Sequence, residues 1–207
     1  MKLLSLGLSE IPWPEIKTAT TISLDELIRR LEAIYETASG IAVTPETCMQ
    51  SPTVQAIVGG ISRRLATYPL HVLKKTTSKG REAKERLPNH PVARLLSKPN
   101  DWQDPAQFWL DASSRLLRYG RFPAYKARGN TGPIRRLIPL YPSAVRLKQD
   151  DQYNVTVEIS DPNGSPKEYA YDEILYARTA ARDALNGDSP VLDCREAIAL
   201  EIAEEKF

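Results

Sequence analysis

Cysteine and histidine are scarce in this chain of 207 residues, which contains two of each. Cys48 and Cys194 stand far apart and no CxxC pair occurs, so the sequence indicates neither a disulfide framework nor a zinc site. His71 and His90 have no neighbouring ligand or nucleophile in the sequence, which argues against a metal cluster and a Cys/His catalytic pair. Two unpaired thiols suit a reducing cytoplasm.

Long apolar runs are absent as well. No stretch of the sequence approaches the roughly 18 consecutive apolar residues that a membrane-spanning helix requires. Residues 1–8 contain one lysine and only a short apolar stretch before Glu10. We therefore expect neither a signal peptide nor a membrane anchor.

The sequence also lacks the short motifs of common catalytic and nucleotide-binding sites. It has no GxSxG, no GxxxxGK[ST] and no GxGxxG after a predicted strand. Acidic pairs at 172–173 and at 183 and 188 offer oxygen ligands for a hard cation, although hydrated polar loops have the same composition. We predict that the chain is not an enzyme and has no catalytic, cofactor-binding or metal-binding residues. A cation-dependent enzyme is the weakest alternative, and metal-dependent thermal stabilisation would favour it.

The net charge of +2 conceals three segments of different charge. Residues 1–60 carry 4 basic and 7 acidic side chains, residues 61–148 carry 19 and 5, and residues 149–207 carry 5 and 14, giving net charges of −3, +14 and −9. With 42% hydrophobic and 26% charged residues, the composition is globular. A basic middle segment is typical of nucleic-acid-binding proteins and equally of a domain that meets an acidic neighbour, so both interpretations stay open.

The first part of the chain predicts an arm followed by a helix. Two prolines flank Trp13 and forbid a regular helix there, so residues 1–22 are predicted to form an N-terminal arm. Ser23 and Glu26 then form a capping box at the start of an amphipathic pattern. This pattern predicts a helix over residues 24–39.

A second helix is predicted from Ser51 and Pro52 onward, because serine caps and proline favours the first helical position. Its apolar face consists of Val54, Ile57, Val58, Ile61 and Leu65. Gly59 and Gly60 inside this helix predict a kink or the close approach of another backbone. A central helix is predicted between a capping box at residues 104–107 and the glycine at position 120.

Strand signals dominate the second half. Residues 69–76 predict a strand, followed by a solvated loop around Gly80. Residues 121–128 and 133–140 predict a hairpin through the glycine-bounded turn between them. The alternation of apolar residues from Tyr153 to Ile159 predicts a further strand, followed by a turn over residues 161–164. The next predictions are a strand with Tyr169 and Tyr171 and a short strand over residues 174–177.

The chain is predicted to end in a helix that begins at Ser189 and Pro190. Its buried face is predicted to contain Val191, Cys194, Ile198 and Ile202. The order of helix and hairpin signals predicts an α+β fold, with residues 24–178 as one domain in which helices pack against an antiparallel sheet.

Several motifs occur in the order found in one protein family. A helix ends in a proline before an apolar strand, and then come a His-Pro, a leucine-rich turn, a Pro-Asn, a helix with paired leucines that ends in glycine, a Leu-x-Pro-Leu-x-Pro and a Gly-x-Ser-Pro. The matching residues are Pro69, Leu70, Val72, His90, Pro91, Leu95, Leu96, Pro99, Asn100, Phe108, Leu116, Leu117, Gly120, Leu137, Pro139, Leu140, Pro142, Gly187, Ser189 and Pro190. Over residues 50–207 the chain thus resembles the portal (connector) proteins of tailed bacteriophages, in the branch typical of long-tailed phages.

Two positions depart from the family pattern. Arg121, Phe122 and Pro123 stand before Ala124 and Tyr125, where the family usually has Gly-Asn-Ala-Tyr. The strand at residues 174–177 does not end in the histidine of many members. The resemblance implies a wing domain over residues 23–188, with helices packed on a mostly antiparallel sheet, and the beginning of a stem helix over residues 189–207.

Portal proteins are substantially longer than this sequence. The clip, the second stem helix, the tunnel loop and the crown have no counterpart here, which implies an N-terminal part, a split gene or a prophage remnant. The resemblance further implies a homo-oligomeric ring, a dodecamer, at the capsid vertex of a virion, made in the host bacterial cytoplasm. Double-stranded DNA would be packaged and ejected through it without sequence-specific binding. The implied partners are other copies of the chain, the terminase large subunit, the major capsid protein and head-completion or adaptor proteins, with no membrane.

The charge pattern provides candidate residues for that role. If the last helix begins the stem, Glu201, Glu204 and Glu205 are candidates for an acidic channel lining that does not hold DNA. A hydrated helix face has the same pattern. Arg135 and Arg136 are candidates for a subunit interface, because the basic middle and the acidic last segment would be complementary faces of neighbouring subunits.

A basic nucleic-acid-binding domain is the alternative function. Its binding residues would come from the basic middle segment: Arg63, Arg64, Lys74, Lys75, Arg135 and Arg136. Affinity that falls steeply with ionic strength would distinguish it from a portal protein.

Overall fold

The computed structural model of the chain describes residues 37–78, 81–129, 132–160, 165–180 and 184–205. The predicted arm over residues 1–22 and most of the predicted helix over residues 24–39 lie outside these ranges. The described end of that helix is not helical. Gly40, with φ of 73°, instead donates its N–H to the Thr37 carbonyl in a turn, so this glycine does not cap a helix.

Helices α1 (Pro52–Ala66) and α3 (Pro105–Tyr119) lie largely where the sequence predicts. Between α1 and α3, the leucine-rich turn forms a short helix, α2 (Pro91–Ser97). The Asp104 carboxylate accepts a hydrogen bond from the Gln107 backbone N–H at 2.8 Å, and Gln107 Oε1 accepts one from the Asp104 N–H at 3.3 Å. The predicted capping box is therefore present, and Gly120 ends α3 in the left-handed conformation as predicted.

The apolar face of α1 is only half covered by the described residues. Val54 and Val58 are buried, whereas Ile57, Ile61 and Leu65 are exposed by 56%, 42% and 51%. The predicted kink at the two glycines is wrong, because α1 is continuous. The alternative, close approach of another backbone, has no support among the described residues: a Cβ at position 60 would meet nothing within 4 Å, and the atoms nearest to one at position 59 belong to the flexible end of the Arg63 side chain.

The segment after α1 differs from the prediction. The strand begins later, as β1 (Leu73–Ser78), and part of the predicted loop is a second strand, β2 (Arg81–Arg86). The two strands pair antiparallel from Leu73 opposite Arg86. The described side chains of this hairpin are largely exposed on both faces, so neither face requires apolar residues. Its lysines and arginines therefore resemble the composition of a solvated loop.

The remaining strands form two antiparallel sheets. The strands are β3 (Arg121–Arg128), β4 (Ile134–Pro139), β5 (Val145–Gln149), β6 (Val155–Ile159), β7 (Lys167–Ala170) and β8 (Ile174–Arg178). One sheet has the order β4-β3-β8 and the other β5-β6-β7. The predicted α+β class and the predicted β3–β4 hairpin are confirmed. The prediction of one sheet is wrong, because the described strands form these two sheets and the separate β1–β2 hairpin.

Strand β5 and two strand ends were not predicted correctly. β5 pairs with β6 from Val145 opposite Ile159. Its sequence, Val-Arg-Leu-Lys-Gln, follows a proline-rich element, which hides the start of the strand from sequence-based prediction. Tyr153 lies in the turn before β6 with φ of 63°, and Tyr171 lies in a short 3₁₀ turn after β7. The predicted turn over residues 161–164 lies outside the described part of the chain.

Three clusters of buried side chains hold these elements. The first joins α1 to the last helices through Val43, Cys48, Val54, Val58, Val191, Ile198, Ala199 and Ile202. The second places α3 on the β4-β3-β8 sheet through Phe108, Ala112, Phe122, Ala124 and Leu137. The third joins the two sheets through Val145, Val157 and Ile174.

The Pro-Asn motif anchors strand β4. The Pro99 carbonyl accepts a hydrogen bond from the Leu137 N–H at 2.6 Å. Asn100, which is buried, donates its amide to the Leu137 carbonyl at 3.2 Å and to Gln103 Oε1 at 2.9 Å. A buried amide with these partners fixes the loop before α3 against the sheet.

The predicted last helix is broken in two. The structure has α4 (Pro190–Asp193) and α5 (Arg195–Glu204), separated at Cys194. Val191, Ile198 and Ile202 are buried as predicted and share one cluster, but Cys194, which lies at the break, is exposed. Helices of this length and composition do not reach the length and hydropathy needed to cross a membrane, nor do the other described helices.

A contact between two glycines fixes the start of these last helices. A Cβ at Gly120 would lie 2.5 Å from the Gly187 carbonyl oxygen, and a Cβ at Gly187 would collide with the Gly120 carbonyl. The Thr179 N–H donates to the Gly120 carbonyl at 2.9 Å, and its hydroxyl donates to the Asp188 carbonyl at 2.5 Å. The Ser189 hydroxyl donates to the Arg118 carbonyl and accepts from the Leu192 N–H. We call this set of contacts the glycine joint.

Helix α5 is also joined to the N-terminus of α1. Ser51 Oγ donates to Glu201 Oε2 at 2.5 Å, and the Thr53 backbone N–H donates to Glu201 Oε1 at 3.2 Å. These hydrogen bonds, from Ser51 first and then Thr53, lower the pKa of Glu201. A carboxylate at this position also interacts favourably with the helix dipole.

Replacing Gly187 with alanine should destabilise the protein. The added Cβ meets backbone atoms that cannot rotate away, so we expect a loss of about 2 kcal/mol or more in the free energy of unfolding, measured with urea. Gly60→Ala is the matched control. It adds the same methyl group to open space within a helix and should raise the free energy of unfolding by about 1 kcal/mol. Equal effects of the two substitutions would contradict the joint.

The contact of Glu201 with α1 should appear in the pH dependence of stability. Because the folded-state pKa of Glu201 lies below the ordinary value of a glutamate, this contribution is fully present above about pH 5 and is lost as the pH falls through the folded-state pKa. Glu201→Gln should therefore be less stable than the parent near neutral pH, and the difference should shrink in acid. Glu204→Gln controls for the loss of one charge from the same helix. A difference that is constant with pH would contradict this role of Glu201.

Candidate functional site

The three candidate glutamates of the last helix lie in different surroundings. Glu201 is half-buried and bonded to the start of α1, whereas Glu204 and Glu205 are exposed. The fold thus gives Glu201 a structural contact that its sequence position does not reveal, because its partner lies 150 residues away. The channel-lining role of these three residues stays a prediction.

Arg135 and Arg136 lie next to each other on β4, and both are exposed. Arg136 Nη2 is 2.9 Å from Asp101 Oδ2, and each of these side chains is about half exposed. The Arg135 guanidinium lies beside Gly129, where an added Cβ would come within 3.1 Å of Nε. An exposed ion pair of this kind contributes at most about 1 kcal/mol to the stability of the fold. The subunit-interface role of the two arginines stays a prediction.

The basic residues of the alternative function lie on separate elements. Arg63 and Arg64 are on α1, Lys74 and Lys75 are on the β1–β2 hairpin, and the arginine pair is on β4. Lys75 Nζ is 2.5 Å from Glu82 Oε1 across the hairpin. Part of the positive charge is therefore already paired with carboxylates of the same segment.

The histidines and acidic residues give no metal site within the described ranges, where no group of three potential ligands has a suitable arrangement. His90 is the N-cap of α2, where its Nδ1 accepts a hydrogen bond from the Val92 N–H at 3.2 Å. His71 lines a surface groove described below.

A polar cluster links three distant parts of the chain. The hydroxyls of Tyr119 and Tyr141 lie 2.9 and 3.2 Å from Glu46 Oε1 and 2.8 Å from each other. Burial alone would raise the pKa of Glu46, but hydrogen bonds from Tyr119 and Thr44 lower it. Burial, followed by the contacts with Tyr141 and Glu46, raises the pKa of Tyr119. The cluster holds the segment before α1 against α3, and no local sequence pattern indicates it.

An open groove of about 750 Å³ lies at the base of the β1–β2 hairpin. We call it the basal groove. Its apolar lining comes from the end of α1 and the segment after it, from the segment after β2, from α2 and from the start of α3: Ala66, Tyr68, Pro69, Leu70, Val72, Leu87, Pro88, Ala93, Leu96, Pro105, Ala106 and Trp109. Tyr68 and Leu70 are 60% and 50% exposed. Exposed apolar side chains that line a concave surface can take part in a protein–protein contact.

Solved structures of phage-like particles have a similar fold. A chain from the virion of a native gene transfer agent particle aligns with a TM-score of 0.61 and 14% identity, covering 78% of this chain and 43% of its own length. A chain from the neck of an empty particle with C6 symmetry has a TM-score of 0.60 and 20% identity, covering 84% and 49%. A chain from the neck of the native particle with C12 symmetry has a TM-score of 0.54 and 17% identity, covering 87% and 49%.

The chain spans less than half the length of each of these three matched chains. No curated protein matches its sequence. The sequence profile of the phage portal protein family matches residues 52–207, which include helices α1 to α5, strands β1 to β8 and the glycine joint. The chain therefore belongs to the phage portal protein family.

Proposed function

We propose that this chain is the N-terminal part of a structural portal protein, which forms a ring at a phage capsid vertex for the passage of double-stranded DNA. The observation that carries the proposal is the family match over residues 52–207. The similar chains from particle necks with C6 and C12 symmetry support a ring, and a dodecamer in particular. The phage portal family is structural, so we propose that the protein acts as a structural conduit and not as an enzyme.

The proposed boundaries follow the sequence. Residues 1–22 form an arm, residues 23–188 the wing, and residues 189–207 the beginning of the stem. The glycine joint supports a boundary near residue 188, because it fixes the direction of α4 as it leaves the wing. The break at Cys194 adds a bend before the stem continues.

The proposed partners belong to the complete protein. They are further copies of the chain in the ring, the terminase large subunit, the major capsid protein and head-completion or adaptor proteins. DNA passes without sequence-specific binding, and the site of action is the virion after synthesis in the bacterial cytoplasm. The scattered basic residues, some of them paired with carboxylates, favour this function over a nucleic-acid-binding domain. Binding of short duplex DNA that weakens steeply with salt would favour the alternative.

The exposed glutamates fit a surface that does not hold DNA. Duplex DNA carries one negative charge per roughly 1.7 Å of its axis, and a basic lining would retain it through counterion release. We propose that Glu204 and Glu205 line the channel. Glu201 contributes to the same acidic end of the helix, and its carboxylate is engaged with α1.

Replacing Glu204 and Glu205 with lysine in the complete portal protein should leave rings intact and lower the DNA packaging rate several-fold. The effect should be larger at low salt, where screening is weak. The packaging rate is measured with purified motor and empty capsids. Glu201→Lys is a separate variant, which should lower stability because it breaks the contact with Ser51. Normal packaging by the double variant would exclude the channel role, and loss of rings would place the two residues at a subunit contact.

Reversing the charges of Arg135 and Arg136 together should weaken ring formation of the complete protein several-fold at moderate salt. Particle mass by native mass spectrometry measures the assembly. Replacing Arg63 and Arg64 with glutamate changes the charge equally at another exposed site and is the control. Unchanged assembly of the Arg135 and Arg136 variant would remove these residues from the interface.

A further inference from the structure

The turn between β5 and β6 presents an exposed tyrosine in a strained conformation. Tyr153 is 82% exposed and has φ of 63°, in the left-handed region that side chains with a Cβ rarely adopt. Asp150 Oδ1 accepts hydrogen bonds from the N–H groups of Gln152 at 2.9 Å and Asn154 at 2.7 Å. Gln149 Nε2 donates to the Tyr153 carbonyl at 3.3 Å. The tyrosine is therefore held outward on a rigid turn.

This turn is complementary to the basal groove. The turn carries two carboxylates beside the exposed ring: Asp150, whose oxygens accept the hydrogen bonds that hold the turn, and Asp151. The groove has an apolar floor, with Arg86 and His71 among its polar lining. Among the described residues that line it, the carboxylate is Asp104, which is already bonded as the cap of α3. Exposed Arg94 and Lys98 lie on the lining helix α2 and after it, so the surroundings of the groove are basic.

We propose that the Tyr153 turn of one copy of this chain inserts into the basal groove of the next copy, as part of the ring proposed above. The contact joins two different surfaces, so it is heterologous, and repetition of it produces a closed ring or an open chain. The tyrosine ring covers the exposed apolar groove, and tyrosine is among the residues that often dominate binding at interfaces. The acidic turn and the basic groove set the orientation.

Tyr153→Gly separates this role from a structural one. Glycine adopts the observed φ without strain, so the variant should unfold at the same temperature as the parent or higher. It should nevertheless require a roughly 30-fold higher concentration to assemble, measured by native mass spectrometry, as expected for the loss of a dominant interface side chain. Tyr153→Phe, which keeps the ring, should assemble like the parent, and so should Tyr171→Ala, the matched removal of an exposed tyrosine from the same region.

A cross-link tests the contact directly. Chains with Gln152→Cys, which keep the Tyr153 ring, and chains with Leu70→Cys, both with Cys194→Ser, are mixed and treated with a short bismaleimide, while Cys48 stays buried. The proposal expects adducts between the two variants and none from either variant alone. Leu70→Asp, which places a charge in the groove, should weaken assembly as Tyr153→Gly does.

The outcomes separate the contact from the proposed function. Rings of the parent that form equally well with Tyr153→Gly, without the adduct, would overturn the contact and leave the portal ring in place. If Leu70→Asp weakens assembly and Tyr153→Gly does not, the proposed contact is also overturned, and the groove binds a different segment. Specific adducts between copies that form only open-ended assemblies and no closed ring would support the contact and contradict the ring. A parent chain that stays monomeric without adducts would contradict both.

Discussion

The close approach of two backbones at Gly120 and Gly187 is the constraint on which the arrangement of the elements depends. Side chains at these positions would hold the segments apart, and the hydrogen bonds of Thr179 and Ser189 need the segments in contact. Gly120 ends α3 and begins β3, so one residue joins a helix end, a strand start and the exit of the chain toward α4. The Gly-x-Ser-Pro motif follows from these requirements, because its glycine permits contact, its serine caps the helix and its proline opens it.

The joint determines what the last helix can contact. Once α4 leaves it, Val191 enters the cluster that contains Val54 and Val58, and α5 follows the break with Ile198 and Ile202 on the same cluster. Beside this apolar packing, the Glu201 carboxylate accepts hydrogen bonds from the Ser51 hydroxyl and the Thr53 N–H at the start of α1. The proposed stem is thus connected to the wing by apolar packing and by a carboxylate, so a displacement of α5 would disturb α1.

Features set by neighbours in sequence were predictable, whereas those set by distant partners were not. The capping box of α3, its terminal glycine and the hairpin of β3 and β4 follow from local residue chemistry. The β1–β2 hairpin was missed because strands exposed on both faces lack the alternation that indicates a strand. The contact of Ser51 with Glu201 had no local signal. The continuous helix pattern across Cys194 gives no sign of the break, which exposes that side chain while Val191, Ile198 and Ile202 stay in one cluster.

The distribution of charge limits how copies of the chain can recognise one another. In the basic middle segment, Glu82, Asp101 and Asp111 pair with bases of that same segment, while Lys148 meets Glu158 and Glu168 of the acidic one. Most of the excess charge therefore stays on the surface. Because screening at physiological salt acts over about 8 Å, this charge can select the orientation of copies only once they are close. In the proposed ring, the affinity between copies would then come from exposed apolar side chains such as those of the basal groove.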